Sequence, residues 1–292
     1  MKKNILIIGG DSFIATNFIK SFQKSFNFKI VSRKKSFCSN EFIIEDLFEI
    51  PDKFFHGIDV IMNFCAIVHR KYVLDELYKK INYDLPVFLF KKSLKYNIKH
   101  FIQMSSISVY KRNNNININS SELPDTSYGY YKLKTDNYIL NTSNNKINTT
   151  CIRSPLVYGA IAPGNLKSLI NLAKLNLPLP FKDIDNKLSF INIKNLTYFL
   201  NIVINEKLYG IMIPTDKNTT STKEIVKLVR ANLNRQECLF ILPKLLKVLL
   251  KTFLPNIFNK LFQSLFVESN VDEKLYKPKF TINDGVMDYL KK

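Results

Sequence analysis

Tyr128 and Lys132 stand four residues apart in "SYGYYKLK", a spacing that puts both on one face of a helix. An ammonium beside a phenol favours the phenolate and lowers a pKa that starts at about 10. Such a tyrosine can give and take a proton near neutral pH. Tyr130 and Lys134 repeat the spacing on another side of the same helix, so the pair alone does not single out one tyrosine. Upstream, "FIQMSSISVY" reads as an apolar strand ending in Ser105 and Ser106. A hydroxyl there projects at the carboxyl end of a parallel sheet, the edge where ligands bind, although two serines also make a turn or a helix cap. The third feature is "NILIIGGDSFIATNF", residues 4–18, an apolar run, a glycine pair and a helical pattern. A dinucleotide-binding turn in the G-x-x-G-x-x-G frame uses its glycines for a tight turn, for close approach of backbone to pyrophosphate, and for helix–strand packing. Here Gly9 keeps the first place, while Ser12 and Ala15 occupy the others. The helix N-terminus still offers free N–H groups to an anion.

These residues need a scaffold, and the rest of the chain supplies one. Predicted strands are Asn4–Ile8, Phe28–Ser32, Phe42–Ile44, Asp59–Phe64, His100–Met104 and Thr149–Ile152. Ile14, Phe18, Ile19 and Phe22 show helical spacing between them, as do Val73, Leu77 and Ile81. Fully apolar strands alternating with helices predict an α/β fold, a Rossmann-type doubly wound parallel sheet. "KRNNNININSS" (residues 111–121) is polar and of low complexity, and predicts a surface loop. Two amphipathic patterns close the chain. Leu242, Leu245, Leu246, Leu249 and Phe253 form one apolar face opposite Lys244, Lys247 and Lys251, and Pro255 starts the second helix.

With 292 residues and 46% hydrophobic composition, the chain can bury a large core. The four cysteines lack C-x-x-C spacing and the three histidines form no ligand pattern, so neither a disulfide framework nor a metal site is expected. The net charge of +19 comes from 43 basic against 24 acidic residues spread along the whole chain. With no nucleic-acid module in sight, this reads as compositional bias, compatible with an anionic small substrate. The apolar part of "MKKNILII" is too short for a signal peptide, and no run is long enough to span a bilayer. A cytoplasmic protein without stable membrane insertion is expected.

Taken in order, these segments resemble the extended short-chain dehydrogenases/reductases, the NAD-dependent epimerase/dehydratase family. The family's S-S-x-x-V-Y resembles "SSISVY" and its Y-G-x-x-K resembles "YGYYK", which selects Ser106, Tyr128 and Lys132 as the catalytic residues. "EDL" with Asp46 and Leu47, "FCAIVH" with Cys65 and Ala66, and Asn82 resemble segments beside the cofactor. The resemblance implies cofactor contacts at Gly9, Gly10, Asp11, Ser12, Phe13 and Ile14 as well. "IRSPLVYG" and "PGNLKSLINLAKLNLPLP" resemble the nucleotide-sugar 4-epimerases and 4-ketoreductases of bacterial surface polysaccharide synthesis. This implies a UDP-sugar substrate held by His69, Ser106, Asn165 and Lys187, with a homodimer compatible. Leu188 departs from the pattern, which places an arginine before Ser189. The implied domains are a cofactor domain of residues 1–155 with a returning segment 183–213, and a smaller, mostly helical substrate domain of 156–182 and 214–292. The closing helix pair is expected to pack into that second domain.

By this resemblance Tyr128 protonates O4 of a 4-keto sugar, Ser106 bonds the same oxygen, and Lys132 tunes Tyr128 and holds the nicotinamide ribose. Arg33, at the end of the second strand, accommodates a 2′-phosphate where an acidic residue would bond the ribose hydroxyl. That favours NADP(H) and a 4-ketoreductase acting on a UDP-4-keto-6-deoxy-N-acetylhexosamine. NAD(H) and a UDP-sugar 4-epimerase remain the alternative, and a non-catalytic NADP-binding sensor is a third reading.

Overall fold

The computed structural model describes residues 1–35, 41–68, 74–111, 115–143, 146–159 and 165–291, with Asn165 placed by its backbone only. Seven parallel strands make the central sheet. Five come first: β1 (Asn4–Ile8), β2 (Asn27–Ser32), β3 (Glu41–Ile43), β4 (Val60–Asn63) and β5 (His100–Ser106). A short β6 (Asn115–Ile116) precedes β7 (Asn148–Ser154). Next come β8 (Leu156–Tyr158), β9 (Phe190–Asn192), β10 (Gly210–Met212) and β11 (Phe266–Val267). The sheet order is β10-β7-β5-β4-β1-β2-β3, so it reverses direction between β1 and β4. Every predicted strand forms, within two residues of its predicted bounds.

The helices over this sheet are α1 (Phe13–Phe22), α2 (Asp75–Lys79), α3 (Leu85–Lys95) and α4 (Ser127–Thr142). Beyond β7 lie α5 (Asn165–Ala173), α6 (Ile193–Asn205), α7 (Thr222–Asn232), α8 (Lys244–Phe253), α9 (Pro255–Phe262) and α10 (Ile282–Leu290). The central strands β1 and β4 are apolar but for Asn4 and Asn63 because both faces are covered. In β1, Ile5 and Ile7 join Phe18, Leu196 and Phe199 from α1 and α6, while Leu6 and Ile8 join Leu89 and Phe90 of α3 on the opposite face. A separate core under α5, α7 and α10 includes Tyr158, Ile170, Val226 and Val286.

Two expectations fail in instructive ways. The polar segment at 111–121 is more than a loop: β6 pairs in parallel with β11, and Ile116 is buried. Pairing across 150 residues of chain is invisible to local composition. The closing helices also divide. In α9, Phe258 is buried, but α8 buries none of its residues and turns Leu245, Leu249 and Phe253 to solvent.

Candidate active site

The opening turn sits where the sheet reverses. Gly9 leaves β1 with φ +81°, and a Cβ there would lie 2.7 Å from Cys65 Sγ at the end of β4. Glycine is therefore required twice, by conformation and by contact. Ser12 needs neither freedom. Its backbone is extended, and its Oγ accepts the Ala15 N–H at 3.2 Å as the N-cap of α1. Ala15 is fully buried between helix and sheet, the packing place the motif requires. Gly10 leaves room for Ile30, Ser32 and the carboxylate of Glu41, which accepts a hydrogen bond from Ser32 Oγ.

A cavity of about 220 Å³ opens beside this turn, lined by Gly9, Asp11, Ser12, Arg33, Leu47, Phe64, Cys65, Ala66 and Ile81. Other residues expected at the cofactor take different positions. Ile14 packs into the sheet core and Phe13 against the α5/α7/α10 core, so only their backbones remain at the turn. Asp46 is not on the cavity wall: it caps a 3-10 turn through the Phe48 N–H and pairs with Lys80 at 3.2 Å. Asn82 is buried and grips Ile67 with two 3.0 Å hydrogen bonds, its Oδ1 accepting from N–H and its Nδ2 donating to C=O. It sits in a π-helical turn, Lys80–Asp84, between α2 and α3, so Asn82 holds the wall segment rather than facing the cavity.

Ser106, Tyr128 and Lys132 come together at the carboxyl end of β5. Thr126 caps α4 by accepting the Gly129 N–H at 3.1 Å. Gly129 lets the helix approach, since a Cβ there would fall 2.1 Å from the carbonyl oxygen of Ser108. The same approach separates the two tyrosine–lysine pairs: Tyr128 and Lys132 are buried, whereas Tyr130 is half-exposed and Lys134 is exposed over the Tyr83 ring. We expect Gly129→Ala to cost about 2–4 kcal/mol in urea unfolding, because a backbone oxygen cannot yield as a flexible side chain does.

Lys132 Nζ donates to the Met104 carbonyl at 2.7 Å and lies 5.9 Å from the Tyr128 ring centroid. Burial lowers the Lys132 ammonium to about 8, against the opposing pull of Asp136. Burial pushes the Tyr128 phenol up to about 12, partly offset by a hydrogen bond with Ser106. This corrects the expectation of a lowered phenol pKa. Desolvation, helped by the Asp136 carboxylate, disfavours phenolate more than the Ser106 hydrogen bond favours it. The Cys65 thiol, pushed up to about 12 by burial and then Asp11, also feels Arg33 and Lys132, which ties the cavity to the triad.

Two charged residues beneath the triad escaped sequence reading. Asp136 accepts Ser105 Oγ at 2.8 Å and Arg153 Nε at 2.9 Å, all three groups being buried. Arg153 also donates to Tyr110 Oη at 2.8 Å. The spacing of Asp136, one turn beyond Lys132 and two beyond Tyr128, was a usable signal. Arg153 stands in the "IRSPLVYG" segment, but its role was not legible there because its partner Asp136 lies on another element beside strand β7.

Of the expected substrate residues, His69 lies outside the described residues and Asn165 only begins α5. Lys187 is exposed beside Leu188, whose backbone bonds Thr220, while Ser264 bonds the Lys187 N–H at 3.0 Å.

The family model described as NAD dependent epimerase/dehydratase matches residues 5–213, from β1 through β10. The chain belongs to this enzyme family. A UDP-glucose 4-epimerase from Vibrio cholerae is 26% identical over 254 residues, 78% of this chain and 75% of that protein. Among solved structures, a UDP-N-acetylglucosamine 4-epimerase from Methanobrevibacter ruminantium in complex with UDP-N-acetylmuramic acid superposes with TM-score 0.79 and 19% identity. It covers 100% of this chain and 99% of its own. A UDP-glucuronic acid 4-epimerase from Bacillus cereus in complex with NAD gives 0.78 and 18%, covering 99% and 98%. At these identities the superpositions speak for the fold of the family member.

Proposed function

We propose that this protein is an NAD-dependent UDP-sugar 4-epimerase. The observation that carries the reading is the joining of Ser106, Tyr128 and Lys132 at the sheet edge beside the Gly9 cavity, in a chain of this family. The named relatives favour epimerisation over the ketoreductase reading, which rests on Arg33. The cavity also fits a dinucleotide on its own terms. Gly9 presents bare backbone to the cavity, and the Phe13 and Ile14 N–H groups at the start of α1, unlike the Ala15 N–H that Ser12 caps, are left for a pyrophosphate.

NAD, when bound, supplies reversible hydride transfer at C4. This chain supplies the proton and the positioning. Ser106 Oγ hydrogen-bonds O4 and Tyr128 Oη exchanges the O4 proton, accepting it as the alcohol is oxidised and returning it on reduction. Lys132 stabilises the tyrosine's charged state and would help to hold the nicotinamide end of NAD. Residues 1–155 and 183–213 hold the cofactor, and 156–182 and 214–292 hold the sugar nucleotide, with Lys187 available to the diphosphate.

Glu41 favours NAD over NADP. Its carboxylate stands between Ser32 and Gly10, where a ribose hydroxyl can donate to it and a 2′-phosphate meets like charge. Arg33 is exposed and lines the cavity, whereas Glu41 stands behind the turn, held against it by the Ser32 hydroxyl. Glu41→Gln should narrow the NADH/NADPH affinity ratio by about tenfold, read by fluorescence titration of both dinucleotides. An unchanged ratio would show that Glu41 does not face the ribose.

The functional test is incubation with UDP-glucose, UDP-N-acetylglucosamine and UDP-4-keto-6-deoxy sugars, with NAD, NADH and NADPH separately. Interconversion at C4 without net dinucleotide consumption is expected. Stoichiometric NADPH oxidation by a 4-keto sugar would overturn epimerisation in favour of reduction.

A further inference from the structure

The α8 helix is turned the wrong way for a soluble protein. Its lysines and leucines segregate, yet Leu245, Leu246, Val248, Leu249 and Phe253 all face solvent. Leu245 is 71% exposed and Phe253 74%. The side directed at the protein carries half-buried Leu250 and Lys247, which pairs with Asp183 at 3.5 Å and lies 5.9 Å from the Phe262 ring centroid. An amphipathic helix of a globular domain ordinarily buries its apolar stripe. Nine of the 22 large apolar side chains exposed among the described residues fall between Phe240 and Ile257, so this is one patch and not scattered exposure.

Charge decides what covers it. From Cys238 to Val267 the sequence holds Lys244, Lys247, Lys251 and Lys260 and no acidic residue. A second copy of this chain would bring lysine-rimmed surfaces together, opposing a symmetric contact. An anionic lipid surface complements both features, taking leucines and phenylalanine into the acyl boundary and the exposed Lys244 and Lys251 onto its phosphates. The ten residues of α8 are too few to cross a bilayer, and no helix of the described residues is long and apolar enough to do so. The helix therefore lies in the interface plane.

We propose that α8 and the start of α9 dock this protein reversibly on anionic phospholipid membranes. This goes beyond the sugar-nucleotide reading and does not depend on it.

The absence of tryptophan from the whole sequence gives a clean reporter. In full-length Phe253→Trp, emission should shift to the blue on adding vesicles of phosphatidylcholine and phosphatidylglycerol in equal parts, and the protein should sediment with them. Pure phosphatidylcholine vesicles should bind far less, and raised salt should release the protein. Lys244→Gln/Lys251→Gln should weaken partitioning roughly thirtyfold. Leu245→Ser/Leu249→Ser should abolish it with an unchanged circular dichroism spectrum, since neither residue is in a core. Unmodified protein that fails to sediment with the anionic vesicles at low salt overturns the proposal. If light scattering then shows a dimer that Leu245→Ser/Leu249→Ser dissociates, the face belongs to a second copy instead.

Discussion

Tyr128→Phe is expected to lower kcat by about a thousandfold while leaving the fold and cofactor affinity intact. The substitution removes one oxygen. The ring keeps its place among Ile67, Tyr78, Ile81 and Tyr131, so unfolding should stay within about 1 kcal/mol of the parent. What disappears is the group proposed to exchange the O4 proton, and with it the hydrogen bond with Ser106. A pH dependence accompanies the parent activity. Burial pushes the phenol up to about 12, so the sugar-oxidising step gains as pH rises toward that value, and its rate should fall as pH falls. Steady-state assays across pH, with the dinucleotide dissociation constant measured in parallel, check both statements. If Tyr128→Phe keeps more than about a tenth of the parent kcat, another group moves the proton.

Lys132→Met is expected to abolish turnover and yet stabilise the protein. Lys132 is 1% exposed, and burial lowers its ammonium from the ordinary 10.5 to about 8. Near neutral pH the folded state therefore carries a charge that the interior disfavours. The lowered pKa corresponds to at most about 3 kcal/mol, of which loss of the Met104 hydrogen bond returns about 1. A gain of about 2 kcal/mol at neutral pH follows, since a methionine fills a similar volume. The sign with pH is fixed by proton binding. Between about pH 8 and 10.5 the unfolded chain retains a proton that folded Lys132 has released, so parent stability rises with pH through that window. The variant lacks this rise. Tyr128 acts in the opposite direction, its raised phenol pKa reducing stability only between pH 10 and about 12. Urea unfolding of parent and variant at pH values across these windows measures the difference. A variant less stable than the parent at neutral pH would mean that the lysine's interactions with Met104 and Asp136 outweigh its desolvation.

The two variants separate chemistry from architecture. One removes a reacting oxygen at little structural cost, and the other removes a functional charge that the fold tolerates at a penalty. A non-catalytic sensor on this scaffold would have no use for the second arrangement, since a neutral side chain at position 132 would fold better.

The sequence by itself determined the layer structure and pointed to the three residues that the fold brings together at the end of β5. Short apolar runs alternating with helical patterns and bounded by turn residues point to strands covered on both faces, and Ile5/Ile7 against Leu6/Ile8 shows that coverage directly. Ser106, Tyr128 and Lys132 were legible because their spacing is local: two serines at a strand end, and a tyrosine and lysine one helical turn apart. Ser12 was visible but its work was not, because a cap is defined by the geometry of α1 and not by a motif frame. Tertiary structure alone decided the rest. Glu41 reaches the opening turn because β3 pairs with β2 at Ile30, and Arg153 reaches Asp136 because β7 lies beside β5. Neither contact leaves a periodic trace in the chain. The pKa values of Tyr128 and Lys132 depend on how much water the fold excludes, which spacing does not encode. The outward face of α8 is the same lesson in reverse. The sequence specifies an amphipathic helix, but which side meets the protein depends on whether neighbouring elements leave an apolar surface for it, and here Lys247 and Asp183 occupy that side.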